Sequence, residues 1–176
     1  MDNEKDLVTQ SRNGDREAFG RLYDRYIKRI YNFVYYKTLQ KELAEDITSQ
    51  TFFKALNSIH TVDPDQSFVS WLYRIAQNTV IDHFRSAKPS ANIEDIWDIS
   101  DDTDIIGDVH RAEDAKGLQQ HLKKLSKLER DIIIMRIWQE MPYKEIAEVI
   151  GKTETNCKVI YSRSIQKLRT FLWNQR

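Results

Sequence analysis

A chain of 176 residues, 31% of them charged, with five glycines and three prolines, has room for one large or two small domains and the composition of a soluble, mostly helical protein rather than a β-sandwich. Its formal charge is zero, yet residues 1–91 carry 13 basic and 12 acidic side chains, residues 92–113 one and eight, and residues 114–176 13 and seven. An acidic connector therefore hides a basic C-terminal segment, and no apolar run approaches a membrane span.

The first residues, MDNEKDLVTQ, lack the basic-then-apolar pattern of a signal peptide. Asn13-Gly14 is a turn signal, and Asp15 is placed to cap a helix. From there Phe19, Leu22, Tyr23, Tyr26, Ile30, Phe33 and Val34 recur at three- and four-residue steps to about Lys37. That is an amphipathic helix with Arg21, Arg25, Lys28 and Arg29 on its outer face. A second helix is predicted over Lys41–Ser58, with Ala44, Ile47, Thr51 and Leu56 facing inward. Phe52 and Phe53 are neighbours, about 100° apart on a helix. If one ring is exposed beside Asp46 and Gln50, it hints at a protein partner; if both are core, they are structural only.

Residues 57–67 read as a polar loop containing Pro64. The next helix, Phe68 to Lys88, places Phe68, Trp71, Leu72, Ile75, Thr79 and His83 on one side, widened by Ala76 and Val80 toward Phe84. Arg74, Asn78 and Arg85 line up opposite as a polar stripe, flanked by Ser70, Gln77 and Ile81, and Pro89 ends the helix. A solvated back of a core helix would look the same. The sharper reading is a nucleic-acid surface, because Arg, Asn and Gln pair with base edges and phosphates. These helices make a first domain, 1–88. Residues 89–113 have no helical period and read as an acidic linker, with Ile93, Ile96, Trp97, Ile105 and Ile106 able to dock.

The segment 114–176 opens with Leu118, Leu122 and Leu125, then a helix from Lys127 carrying Ile132, Ile133, Met135, Arg136 and Trp138. Pro142 suits the first turn of a helix whose buried side is Ile146, Ala147 and Ile150, and Gly151 is a left-handed C-cap. Thr153 can cap the last helix, with Cys157, Tyr161, Ser164, Leu168 and Leu172 inward. Helix, glycine turn, helix is the pattern of a helix-turn-helix; a packing hairpin is the alternative. The basic run Lys152, Lys158, Arg163, Lys167 and Arg169 favours DNA. In that motif Thr155, Asn156, Lys158 and Val159 reach bases, while Ser162, Arg163 and Lys167 hold phosphates. Cys157 falls on the buried side, excludes an internal disulfide by being the one cysteine, and fits a reducing cytoplasm. His60, His83, His110 and His121 are dispersed without metal-ligand spacing. With no glycine-rich phosphate loop and no nucleophile elbow, the sequence implies neither an enzyme nor a cofactor.

Taken together, AEDITSQTFFKAL followed by WLYRIAQNTVIDHFR, an acidic linker, and YKEIAEVIG with KTETNCKVIYSRSIQKL resemble a bacterial sigma factor of the extracytoplasmic-function group within the sigma-70 family. The likeness covers about 12–88 and 114–172. It implies an all-α protein of two small helical domains joined by an acidic linker, the C-terminal one a helix-turn-helix. It further implies a cytoplasmic initiation factor that binds bacterial core RNA polymerase and promoter DNA and promotes strand opening. Asp46, Ser49, Gln50 and Phe53 would meet the clamp helices of the largest polymerase subunit, and the second domain the flap of the second largest. The loop 57–67, with His60 and Asp63, would take a flipped base of the start-proximal element, while Arg74, Asn78 and Arg85 track the single strand. Lys152, Thr155, Asn156, Lys158, Val159, Ser162, Arg163 and Lys167 would hold the upstream element as duplex. The acidic linker would thread the polymerase cleft, and an anti-sigma factor is the implied antagonist.

Three positions depart from the family pattern. Ser49-Gln50 stands for the usual Gln-Glu, Val159-Ile160 for a frequent Ser-Arg, and Ile165 for Arg. Fewer charges on the last helix would weaken phosphate affinity, and Val159 or Ile160 is placed to touch a thymine methyl. The competing readings are a stand-alone, dimeric helix-turn-helix regulator, which leaves Phe68–Lys88 unexplained, and a protein-binding adaptor, which leaves the basic last helix idle.

Overall fold

Side-chain caps decide where most of the helices begin. In the computed structural model, which describes residues 3–63, 65–87, 122 and 124–173, the Asn3 side chain accepts from the Lys5 amide and starts α1, Glu4–Arg12. Asp15 accepts from the Glu17 and Ala18 amides at the head of α2, Arg16–Thr38. Between them Gly14 takes φ +95°, a turn conformation that costs glycine little. α2 ends on Leu39, left-handed at φ 55°, and α3 follows as Lys41–Ser58. A 3₁₀ turn, Ile59–Thr61, and a short loop lead to α4, Phe68–Ala87. Every element among the described residues is helical. The chain divides into two compact units, Met1–Ser90 and Ala91–Arg176.

In the first unit α2 packs against α1, α3 and α4, and α3 packs on α4. Leu22, Ile30, Phe33, Val34, Ala44, Ile47, Thr51, Leu72, Tyr73 and Ala76 are completely buried. The Phe33 and Tyr73 rings meet edge to face, 5.0 Å apart. At about 1.5–3 kcal/mol for each large apolar side chain removed from water, this cluster holds the helices against their loss of chain freedom.

Several expectations are corrected here. The helix α1 was not anticipated; Leu7, Val8 and Ser11 bury one side of it. Tyr23 and Leu56, expected inside, are 40% and 42% exposed. Ala55, next to Leu56, is completely buried. On α4 the buried face is turned toward Val69, Ser70, Leu72, Tyr73, Ala76, Thr79 and Val80. Trp71, Ile75 and His83 are only half-buried, since α2 and α3 clamp α4 from the Tyr73 side. Pro64, Lys88, Pro89 and the linker 89–113 lie outside the described residues.

The second unit starts with a capping box at the head of α5, Lys127–Ile133: Glu129 donates its amide to the Ser126 hydroxyl, and the Ser126 amide donates to the Glu129 carboxylate. α5 runs into a π turn, Ile134–Trp138. After a loop in which Glu140 takes φ 51°, Pro142 leads α6, Tyr143–Ile150, which stops at Gly151 in the left-handed region. α7, Glu154–Trp173, follows, with the Thr153 hydroxyl accepting from the Asn156 amide at 3.2 Å. Leu122, Leu125 and Ile133 form a core on which Trp138, Tyr161, Ile165 and Leu168 pack. Val149 is buried on α6, and Ile150 is half-buried, a small rotation from the expected face. Leu118 and the side chain of Leu172 fall outside the described residues. Among the described residues no helix is long and apolar enough to cross a membrane, and no group of three metal-ligating side chains gathers.

Candidate functional site

Three surfaces carry the predicted residues, two on the first unit and one on the second. On α3 the inward side is fastened by Thr48 and Thr51, whose hydroxyls donate to the Ala44 and Ile47 carbonyls. That orientation throws Asp46, Ser49, Gln50 and Phe53 outward, and all four are exposed. The Phe52–Phe53 question has a clear answer. Phe52 is 5% exposed and takes the Tyr23 ring edge-on at 4.7 Å, whereas Phe53 is 67% exposed. With Leu56, three residues on and 42% exposed, it gives the outer face of α3 an apolar patch.

On α4 the side chains of Arg74, Asn78 and Arg85 are exposed, and Arg74 and Arg85 have no ion-pair partner among the described residues. Asp82, on the same stripe, is taken by Lys54 at 3.4 Å, tying α4 to α3. The preceding loop is anchored by buried Ile59 and Val62 and leaves His60 and Asp63 exposed. Asp63 shapes the loop through its carboxylate, which accepts from the Asp65 amide at 3.0 Å. Asp65 is bridged to Lys5 of α1 at 2.5 Å. That bridge lowers the Asp65 carboxyl and raises the Lys5 ammonium, the direct hydrogen bond being the leading cause in both. α1 is also latched to α2, where the Tyr26 phenol donates to the Glu4 carboxylate. Burial first, and that bond second, push the phenol well above its ordinary value.

On α7 the outward face is centred on Thr155, Val159, Ser162 and Gln166, with Arg163 to one side, by the usual 100° per residue. All are exposed, Val159 at 43%. The two flanking lysines are drawn back to the rims. Lys158 pairs with Glu154 at 2.5 Å and stands 5.8 Å from the Tyr143 ring centre. Lys167 pairs with Glu129 of α5, also at 2.5 Å. Burial alone would raise the Glu129 carboxyl, but hydrogen bonds from Lys167 and Ser126 hold it below its ordinary value. Lys152, Arg163 and Arg169 are exposed and have no ion-pair partner among the described residues. Gln166 and Tyr143 were not anticipated. Gln166 is legible from helical period, since it falls seven residues after Val159; Tyr143 is not, because its contacts come from two other elements, the π turn and α7.

Two of the departures take on structural meaning. Ile165 packs on the core of the unit, so its lack of charge bears on packing and not on a DNA-facing surface. Ile160 is half-buried while Val159 is exposed. Cys157 is completely buried, and its desolvation pushes the thiol up, as befits a core residue.

Comparison with known proteins follows the same division. Residues 22–89 match the family described as Sigma-70 region 2, and residues 116–168 match Sigma-70, region 4. The chain is 31% identical over 175 residues to the ECF RNA polymerase sigma factor BldN of Streptomyces coelicolor, covering 95% of this chain and 65% of that protein. It thus spans just under two thirds of the length of BldN. To the ECF RNA polymerase sigma factor SigW of Bacillus subtilis it is 30% identical over 176 residues, covering 94% of each. In fold it resembles CnrH, solved with the cytosolic domain of CnrY, at TM-score 0.79 and 23% identity over 99% of this chain and 100% of that one. The sigma factor RpoE, solved with the anti-sigma factor NepR from Bartonella quintana, superimposes at TM-score 0.68 and 19% identity over 90% of this chain and 98% of that one.

Proposed function

The chain belongs to the extracytoplasmic-function group of sigma-70 transcription initiation factors, and from that premise we propose how its own surfaces divide the work. Residues 1–88 bind core polymerase and open the promoter, 89–113 form the acidic linker, and 114–176 read the upstream element. Asp46, Ser49, Gln50 and Phe53 face the clamp helices of the largest polymerase subunit, and the second domain meets the flap of the second largest. The loop with His60 and Asp63 receives a flipped base of the start-proximal element.

Extruding that base costs a few kcal/mol. Arg74 and Arg85, which have no ion pair to break among the described residues, can offset it on the adjoining phosphates, and Asn78 between them offers both a donor and an acceptor. On the second unit Thr155, Asn156 and Val159 meet bases, with Lys158 at the rim of that group. Lys152, Ser162 and Arg163 hold phosphates, and Lys167 joins them by exchanging Glu129 for a phosphate. The chain supplies no bond-making chemistry of its own; binding energy opens the strands. It works in the cytoplasm. Its antagonist is an anti-sigma factor, as the anti-sigma factor NepR solved with RpoE supports, and the place of that antagonist is over the α3 and α7 faces.

The observation that carries this reading is the pairing, in one chain, of an outward phenylalanine on α3 with cations on α4 and α7 that have no ion-pair partner among the described residues. Run-off transcription with bacterial core polymerase on a randomised promoter library tests it. The expected result is a set of transcripts that need the protein and share two spaced elements. DNA binding with no core association and no transcripts would refute it in favour of a stand-alone regulator.

A further inference from the structure

The Tyr143 ring, at the first position of α6, is the meeting point of three elements of the second unit. The Arg136 guanidinium of the π turn lies 4.8 Å from its centre, and the Lys158 ammonium of α7 lies 5.8 Å from it. Tyr161 of α7 approaches at 5.8 Å with its plane turned by 73°. Arg136 also donates to the Met141 carbonyl at 3.1 Å, closing the loop that delivers Tyr143. The ring face is negative and attracts cations. Glu154, four residues before Lys158 on the same helix, adds a favourably ordered ion pair at 2.5 Å.

We propose that Tyr143 is a positioning residue for DNA binding: its ring, with Glu154, holds Lys158 at the rim of α7 as a phosphate contact and keeps it off the bases. This rests on the reading of α7 as the helix that enters the duplex, and it refines the role of one of its lysines. Left unheld, the lysine could swing across Thr155, part of the surface that faces base edges. Held, it presents charge to the backbone and carries no sequence information. The cost of ordering a four-carbon side chain is then met in the free protein instead of at binding.

The test uses holoenzyme with core polymerase and a promoter taken from the transcription selection, so failure to obtain any promoter strikes the functional reading and not this inference. Tyr143→Phe keeps the ring and should bind within about 2-fold of the natural protein, whereas Tyr143→Leu should lose about 3- to 10-fold, the range expected of a partly desolvated cation–ring contact. In a Lys158→Ala background the Tyr143→Leu loss should shrink below about 2-fold. Lys158→Ala should reduce the salt dependence of binding, by less than the roughly 0.9 in the log–log slope of an unpaired cation because Lys158 begins in an ion pair with Glu154, with base preferences unchanged. Phenylalanines of increasing ring fluorination at position 143 preserve shape and should weaken binding stepwise, which keeps the inference testable if the leucine variant folds poorly. Equal losses for phenylalanine and leucine, additivity with Lys158→Ala, or a changed base preference in Lys158→Ala would each overturn it.

Discussion

Adjacent phenylalanines on α3 should respond to the same truncation in opposite ways. Phe52 is 5% exposed and packs on Tyr23, so Phe52→Ala removes a core ring and leaves a cavity, costing about 3–5 kcal/mol of stability. Phe53 is 67% exposed, so Phe53→Ala should change stability by no more than about 0.5 kcal/mol. Its effect lies in the complex. A phenylalanine offers roughly 150–250 Å² to burial, and two thirds of that remains for a partner, roughly 100–170 Å². At about 25 cal/mol per Å², full coverage by the polymerase clamp is worth about 2.5–4 kcal/mol. That is a loss of roughly 60- to 700-fold in affinity for core enzyme. Urea denaturation gives the first pair of numbers, and competition with a labelled sigma factor for core polymerase gives the second. If Phe53→Ala unfolds as readily as Phe52→Ala, the assignment of inward and outward rings is wrong. If it folds and binds core enzyme normally, α3 does not meet the clamp through this residue.

Further expectations concern the second unit. Arg163→Ala should lower the salt dependence of holoenzyme binding to its promoter by about 0.9 in the log–log slope, one phosphate's worth. Lys167→Ala should lower it less, because Lys167 begins in an ion pair with Glu129; equal slopes for the two would contradict that difference. The Glu129 carboxyl sits below its ordinary value of 4.5 when folded. The folded state therefore binds its proton less readily than the unfolded chain, and this contribution is complete above the ordinary value and lost as pH falls through the depressed one. Glu129→Gln should be less stable at neutral pH and show a flatter decline in acid, measured by denaturation across pH; a decline as steep as the natural protein's would rule out the linkage. Gly151 has φ +67°, and a Cβ added there would meet no atom within 4 Å, so Gly151→Ala should cost about 1–2 kcal/mol from backbone strain alone. Denaturant titration checks this, and an unchanged midpoint would mean the turn relaxes.

The helices that position the candidate surfaces were legible because local signals agree with each other. Asp15 before an apolar period, Gly151 between two periods, and Thr153 ahead of Cys157 each mark an end that the hydrogen bonds honour. α1 escaped notice because its inward set is only Leu7, Val8 and Ser11, too short for a period, although Asn3 and the acidic first turn were start signals. Faces were harder than ends. Periodicity finds the mean direction of apolar residues, but α4 carries aromatics on more than one side, and contact with α2 and α3 decides that Tyr73 is buried while Trp71 is half-buried. The same holds for the sites. Helical spacing finds Arg74, Asn78 and Arg85 on one stripe, since that stripe belongs to a single helix. It cannot find the Lys167–Glu129 pair, 38 residues apart, or the ring of Tyr143 between Arg136 and Lys158. Those contacts set which cations are already engaged before DNA arrives. A basic helix read from sequence therefore overstates its immediately available charge: on α7, Lys158 and Lys167 are held by carboxylates, whereas Arg163 and Arg169, and Lys152 in the turn before the helix, have no ion-pair partner among the described residues.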